Sequence, residues 1–232
     1  MPDMERGTKW YDLAGKNHGT LTNGPTWRAD GLRFDGSDDY VSVPDSPSLN
    51  FTTEDLTYSL WYKIRSFGAY DGFIAKGGDQ PQFVCGGSSN TFSFWKANNS
   101  AWFDGAGTIT LNTWEHVAVV KTGSVVRLYQ QGLEVASGTQ AQSFVANSTA
   151  MQIGSDTQAG GRLLDGVLND IRIYNRALSA TEVASLYRDP LGMFGRVRVP
   201  IGRFAETQAG SGGGGWIFRS RLFRSPIIYG GW

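Results

Sequence analysis

The stretch from Leu164 to Pro190 limits the possible folds more than any other part of the chain. It encodes a strand, a turn, one short helix and a stop. Val167, Asn169, Ile171 and Ile173 alternate with Leu168, Asp170, Arg172 and Tyr174, which is the two-residue period of a strand. Asn175 to Ala177 then turn the chain into a helix start. Ser179 suits the N-cap, Glu182 stands at N3 to close a capping box, and Leu178 can clasp Val183 as a hydrophobic staple. Val183, Leu186 and Tyr187 form one apolar stripe, and Pro190 prevents continuation. A helix of this length does not persist alone in water, so it must dock on something larger. The preceding strand supplies the attachment to a sheet.

The rest of the chain favours strands. Its 31 glycines, 13% aromatic and 18% charged residues describe a turn-rich β protein rather than a disordered one. Strands are expected at Leu56–Ile64, Gly72–Ala75, Thr91–Lys96, Trp114–Lys121, Val125–Gln130 and Met151–Ile153. Thr122-Gly123-Ser124 reads as a hairpin turn and Gln130-Gln131-Gly132 as a second turn. Leu32 to Val43 reads as strand, tight reversal at Asp35-Gly36, strand. Short strands at regular spacing with one terminal helix predict two stacked antiparallel sheets.

Gly166 to Tyr187 resembles the close of laminin-G-like, or concanavalin-A-like, jelly-roll domains. These usually end in a Gly-x-hydrophobic-Asp-Glu-hydrophobic-Arg-hydrophobic-Tyr-Asn-Arg-Ala-Leu-Ser run and a capped helix finishing in Leu-Tyr. Here Asn169-Asp170 stands where that family more often has Asp-Glu. Trp10 to Gly24 is similar to the family's opening Asp-x-Ser-Gly-x-x-x-His-Gly loop, with Ala14 in place of the serine. Leu32 to Val43 looks like the family too, and Trp114 to Ala118 follows its Trp-x-His-hydrophobic-Ala run. The resemblance spans roughly Trp10 to Asp189. It implies an all-β, two-sheet antiparallel jelly-roll sandwich over residues 1–190 with one short C-terminal helix.

Residues 191–232 differ in composition and are expected to form an extended arm with a glycine-rich linker at 209–215. Six arginines (Arg196, Arg198, Arg203, Arg219, Arg221 and Arg224) face Glu206 alone, leaving this tail at about +5 and the body at about −5. Trp216, Phe218, Phe223, Tyr229 and Trp232 interleave with them. Such pieces are too few to build their own core and would expose a sticky surface in water, which predicts a partner. Aromatic interleaving suits single-stranded nucleic acid. The acidic body and a tail without lysine favour a protein interface instead. The lone Cys85 excludes an intrachain disulfide framework and reads as a buried small hydrophobe. The N-terminus lacks the apolar core of a signal peptide, and no apolar run is long enough to span a bilayer, so synthesis in the cytoplasm without export is expected.

Glycoside hydrolysis needs two carboxylates facing one cleft. The Glu-x-Asp-x-x-Glu strand of laminarinase-type relatives is absent, and the adjacent pairs Glu54-Asp55 and Asp38-Asp39 would point to opposite faces of a strand. His116 reads as a packed, hydrogen-bonded histidine and His18 as a loop residue. Neither has a serine or cysteine in a nucleophile setting, and 210–215 lacks the Lys-Ser/Thr of a phosphate loop. The chain is therefore expected not to be an enzyme.

The resemblance implies a structural Ca²⁺, for which Asp12, Asn17, Asp38 and Asp170 are the candidate ligands. Asp12 and Asp38 read equally as turn residues bonding their own backbone. For sugar recognition, aromatic faces with amide and carboxylate neighbours cluster at Tyr70, Trp95, Asn98, Asn99, Trp102 and Asp104. The alternative is that Trp95 and Trp102 fill the sandwich, as Trp27 and Trp61 are expected to do.

Similar domains followed by an arginine-and-aromatic tail look like those that tailed phages encode on virion-surface proteins. The expectation is a non-catalytic virion-surface module. Its loops would recognise a cell-surface glycan, while the arm docks on a capsid or tail protein or on sister copies in a homo-oligomer. The alternatives are a decoration protein that binds no sugar and a polysaccharide-degrading enzyme.

Overall fold

Strand follows strand along the chain because alternating apolar residues need two facing sheets to bury them. The computed structural model describes residues 7–52, 55–68, 70–77, 80–86, 90–96, 102–139, 143–156, 162–190 and 228–231, with 102–104 and 228–231 described by backbone alone. In chain order the strands are β1 (Lys9–Trp10), β2 (Gly19–Thr22), β3 (Thr26–Arg28), β4 (Gly31–Asp35) and β5 (Tyr40–Val43). After a 3₁₀ turn come β6 (Leu56–Ser66), β7 (Asp71–Lys76), β8 (Pro81–Cys85), β9 (Phe92–Lys96) and β10 (Trp102–Ala106). Then follow β11 (Glu115–Thr122), β12 (Val125–Gln130), β13 (Leu133–Thr139), β14 (Met151–Ile153) and β15 (Asp165–Tyr174). The helix α1 (Ala180–Arg188) and the strand β16 (Ile228–Gly231) complete the set.

One sheet has eight strands in the order β1-β2-β5-β14-β7-β8-β9-β10, and the other has the order β13-β12-β11-β6-β15-β4-β3. Every pairing within these two orders is antiparallel. The all-β jelly-roll sandwich is therefore the observed architecture. Leu32, Phe34, Val41, Leu60, Ile64, Phe73, Phe83, Phe92, Phe94, Val117 and Ile153 are buried between the sheets.

Three features depart from the sequence expectations. β3, β8, β10 and β13 are additional strands. β4 and β5 lie in different sheets, so the reversal at Asp35-Gly36 crosses the sandwich instead of closing a hairpin. In β15 the alternation slips. Leu168, Ile171 and Ile173 all enter the core, because the β15–β6 register shifts between Asn169 and Arg172, where Asp170 takes φ 49°. An extra residue at a bulge moves the following side chains to the other face.

α1 lies on the outer face of the seven-stranded sheet. Ser179 Oγ accepts from the Glu182 N–H while the Glu182 carboxylate accepts from the Ser179 N–H, so the expected capping box is present. Val183 and Leu178 join Ala118, Val120, Tyr129 and Tyr174 in a second apolar cluster. Tyr187 stacks on Trp61 at 5.7 Å between ring centroids, so Trp61 lies beneath the helix and not between the sheets.

β16 pairs parallel with β15, Ile171 opposite Ile228 and Tyr174 opposite Gly231. The expectation placed the whole arm on a partner; its last strand, with Tyr229, lies on the chain's own sheet. Arg196, Arg198, Arg203, Trp216, Phe218, Arg219, Arg221, Phe223, Arg224 and Trp232 lie outside the described residues.

Candidate functional site: the outer face of the eight-stranded sheet

Strand alternation decides what this face presents. Val41, Val43, Met151, Ile153, Phe83, Cys85, Phe92 and Phe94 enter the core, so their neighbours along each strand project outward. The pairing register aligns these outward residues into one row across seven strands. Thr20 lies opposite Ser42, Ser42 opposite Gln152, Gln152 opposite Ala75, Ala75 opposite Gln82, Gln82 opposite Trp95, and Trp95 opposite Trp102. Along this row Ser42 and Gln152 are half-buried, while Ala75, Gln82 and Trp95 are covered. Trp95 Nε1 donates to Gln82 Oε1 at 2.5 Å.

Tyr70 packs over the aromatic end, its ring 4.8 Å from that of Trp95. It takes φ 68°, a strained backbone for a non-glycine residue, and strain of this kind recurs where a side chain must be aimed. The Arg162 guanidinium lies 5.2 Å from the Tyr70 ring and 5.9 Å from the Trp95 ring. Arg162 also donates to Asp156 Oδ2 at 2.8 Å, so the charge over the rings is matched by a buried carboxylate. Next to Tyr70, Asp71 Oδ2 accepts from the Gly68 N–H at 2.7 Å, and burial raises the Asp71 pKa. With Asp156 held by Arg162 and Asp71 by the backbone, neither is placed as a solvent-facing acid or base.

Of the six sugar-site candidates, the structure brings Tyr70 and Trp95 into contact and places Trp102 beside Trp95 in the backbone register. Asp104 follows in β10, described by backbone alone, and Asn98 and Asn99 lie outside the described residues. Trp95 is only 2% exposed, which leaves half-buried Tyr70 as the outward ring among the described residues. Sequence reading missed Gln82, Gln152 and Arg162. Gln82 and Gln152 carry no periodic signal of their own, and only the strand order reveals their alignment with Trp95.

The four calcium candidates fall in three settings, Asp12 and Asn17 sharing one loop. Asp12 closes its own loop, Oδ1 accepting from the Ala14 and Gly15 N–H groups and Oδ2 from Asn17 N–H, so the turn reading holds there. Asn17 exchanges hydrogen bonds with Ser48 Oγ. Asp170 is a correction: both its oxygens accept from the buried Arg172 guanidinium, at 2.7 and 2.9 Å, so its charge is already matched by a cation of the chain itself. Asp38 alone keeps company suited to a metal. Its ligand atom lies within 4.8 Å of those of Asp35 and Asp39. Burial and the nearby charges of Asp35 and Asp38 raise the pKa of Asp39, and a hard cation would relieve that repulsion. An oxygen-rich turn of this kind fits Ca²⁺.

The histidines behave as structural groups. His116 Nε2 lies 2.9 Å from Ser59 Oγ under α1, and burial, with the Arg172 charge second, lowers its pKa to about 3. His18 Nδ1 accepts from the Asp12 N–H.

Residues 35–184 match the model of the concanavalin A-like lectin/glucanases superfamily, and the chain belongs to that superfamily. Among solved structures it resembles domain 4 of an extracellular arabinanase of Geobacillus stearothermophilus, in complex with arabinotriose. That match has 20% identity and a TM-score of 0.57, covering 73% of this chain and 81% of the other. It also resembles Trypanosoma rangeli sialidase, with 14% identity and a TM-score of 0.59 over 79% of this chain and 31% of the enzyme. The binding domain of Paraclostridial Mosquitocidal Protein 1 aligns at 16% identity and a TM-score of 0.53, over 74% and 46% of the two chains. In sequence, 88 residues are 25% identical to the adhesion G-protein coupled receptor V1 of Danio rerio; these are 37% of this chain and 1% of that receptor.

Proposed function

We propose that the chain is a non-catalytic carbohydrate-binding module that reads an uncharged glycan on the outer face of its eight-stranded sheet. The observation that carries this is the half-buried Tyr70 ring packed on Trp95, on the same outer face as half-buried Ser42 and Gln152. Amides and hydroxyls meet sugar hydroxyls while an aromatic face meets sugar C–H bonds. Because Asp156 already matches the Arg162 charge and Asp71 adds a carboxylate beside them, an anionic sugar gains nothing there. The arabinotriose held by the arabinanase domain is an uncharged sugar bound to the same fold.

A structural Ca²⁺ belongs to the same proposal, held by Asp35, Asp38 and Asp39. Chelation is expected to lower the melting temperature of the chain, and an unchanged melt removes calcium from the account. The setting we propose is a virion surface, where the sandwich faces a cell-surface glycan and the arm joins the module to a capsid or tail protein or to its sister copies. An array of neutral and acidic glycans tests the ligand class. Signal confined to neutral sugars, with no release of reducing ends, supports the reading. A blank array favours a decoration protein, and reducing ends favour an enzyme.

A further inference from the structure

The edge of β15 is filled by two different strands. β4 covers Asp165 to Leu168 and then ends, while β16 covers Ile171 to Tyr174. The bulge at Asp170 separates the two halves, with Asn169 Nδ2 donating to the Asp30 carbonyl where β4 begins. Without β16, the backbone groups of Ile171 to Tyr174 on this edge have no strand partner among the described residues. An unfilled edge of this kind is a template for any strand that reaches it. Arg172 sits in the middle of the slot at 1% exposure and donates to the Pro190 carbonyl as well as to Asp170.

The strand that covers it is attached through 37 residues, 191–227, which include four consecutive glycines at 212–215. A span of that length reaches at most roughly 120 Å when fully extended. That is several times the width of a domain this size, so the linker is long enough for the donor strand to reach a neighbouring copy as well as its own sheet. Parallel pairing fits this equally, because a parallel strand needs a long connection and gains nothing from a tight turn. The contacts made in the slot are the same whichever copy supplies the strand, which makes exchange a low-cost route to a dimer.

We infer that the β15 edge from Ile171 to Tyr174 is a strand-acceptor slot whose occupant in the assembled state is Ile228–Gly231 of a second copy of this chain. The inference rests on the proposed assembly role of the arm and gives that role its acceptor. A strand tethered to its own sheet holds the slot at an effective concentration on the order of millimolar. Exchange therefore takes over where copies are packed together, as on the surface of a particle.

The test uses the full chain and a full-length variant carrying Tyr229→Pro with Gly230→Pro. Adjacent residues of a strand point their N–H groups to opposite sides, so one of the two prolines necessarily removes a bond to β15. Both chains are refolded from urea at low and high protein concentration, sized by light scattering, and followed by amide hydrogen exchange at Ile171 to Tyr174. The native chain is expected to be monomeric when refolded dilute and to form dimers when refolded concentrated, with these amides protected in both forms. The variant is expected to stay monomeric and to lose protection at those of these amides that face β16, the ones bonded to β6 staying protected, while near-ultraviolet dichroism shows an intact sandwich. A native chain that remains monomeric at every concentration, yet protected, overturns exchange while leaving the strand in its own slot. Equal protection in variant and native chain overturns the slot itself. A variant whose dichroism collapses is replaced by the single Gly230→Pro and Tyr229→Pro chains, read by the same two measurements. Sugar binding is measured separately, so neither failure is mistaken for loss of the glycan reading.

Discussion

At the scale of single residues, environment decides role. His116 and Ser59 have the atoms of a nucleophile and its base at 2.9 Å, yet the helix above them and the low pKa of the imidazole make the pair a fixture of the packing. The pH consequence follows from the sign of that shift. The folded pKa of about 3 lies below the ordinary 6.5, so the unfolded chain takes up a proton that the folded chain refuses. Stability from this group is complete above the ordinary value and is lost as pH falls from there toward 3, at up to about 1.4 kcal/mol per pH unit. His116→Gln, which can keep the bond to Ser59, is expected to flatten that acid limb. Urea unfolding at neutral and mildly acid pH checks it, and parallel slopes in native and variant chains would contradict it. Asp12 and Asp170 make the same point from the acidic side. Both looked available for calcium in the sequence; Asp12 is tied into the N–H groups of its own turn, as its turn reading had it, and Asp170 into the Arg172 guanidinium.

Among the elements, the Leu164–Pro190 stretch was the most legible because its signals are local. Cap, staple, apolar stripe and stop all sit within one helix length, and each is found where spacing placed it. Ser179→Ala is expected to cost about 1 kcal/mol, the usual loss for an N-cap serine, measured as a lower urea midpoint at unchanged slope. A loss much below this would mean that the packing of Val183 and Tyr187 alone holds the helix. The strand before it was less legible. Its bulge reverses the faces of Ile171 and Ile173 relative to Val167, and a bulge adds one residue without altering composition. β8, β10 and β13 were missed for a related reason. β8 is buried on both faces and so lacks alternation, β10 lies among residues whose polarity suggested a loop, and β13 is an edge strand with mostly exposed side chains.

For the whole molecule, the sheet order creates the site. Gln152 and Gln82 lie 70 positions apart in the chain but two strands apart in the sheet, and both sit in the row that ends at Trp95. The sequence showed the aromatic end of this row as a local cluster and hid the amide end, because alignment across strands is a property of topology alone. The arm was legible as a foreign composition, while the return of its last strand to β15 was not, since four residues of modest pattern specify a partner only when an open edge awaits them. The account stands on the Tyr70 ring, backed by Trp95, recognising an uncharged glycan, and calorimetric titration of the native chain and Tyr70→Ala with a neutral oligosaccharide taken from the array tests this most directly. Native binding with at least a tenfold loss in the variant at unchanged melting temperature is the predicted result; equal affinity in the two chains would contradict it.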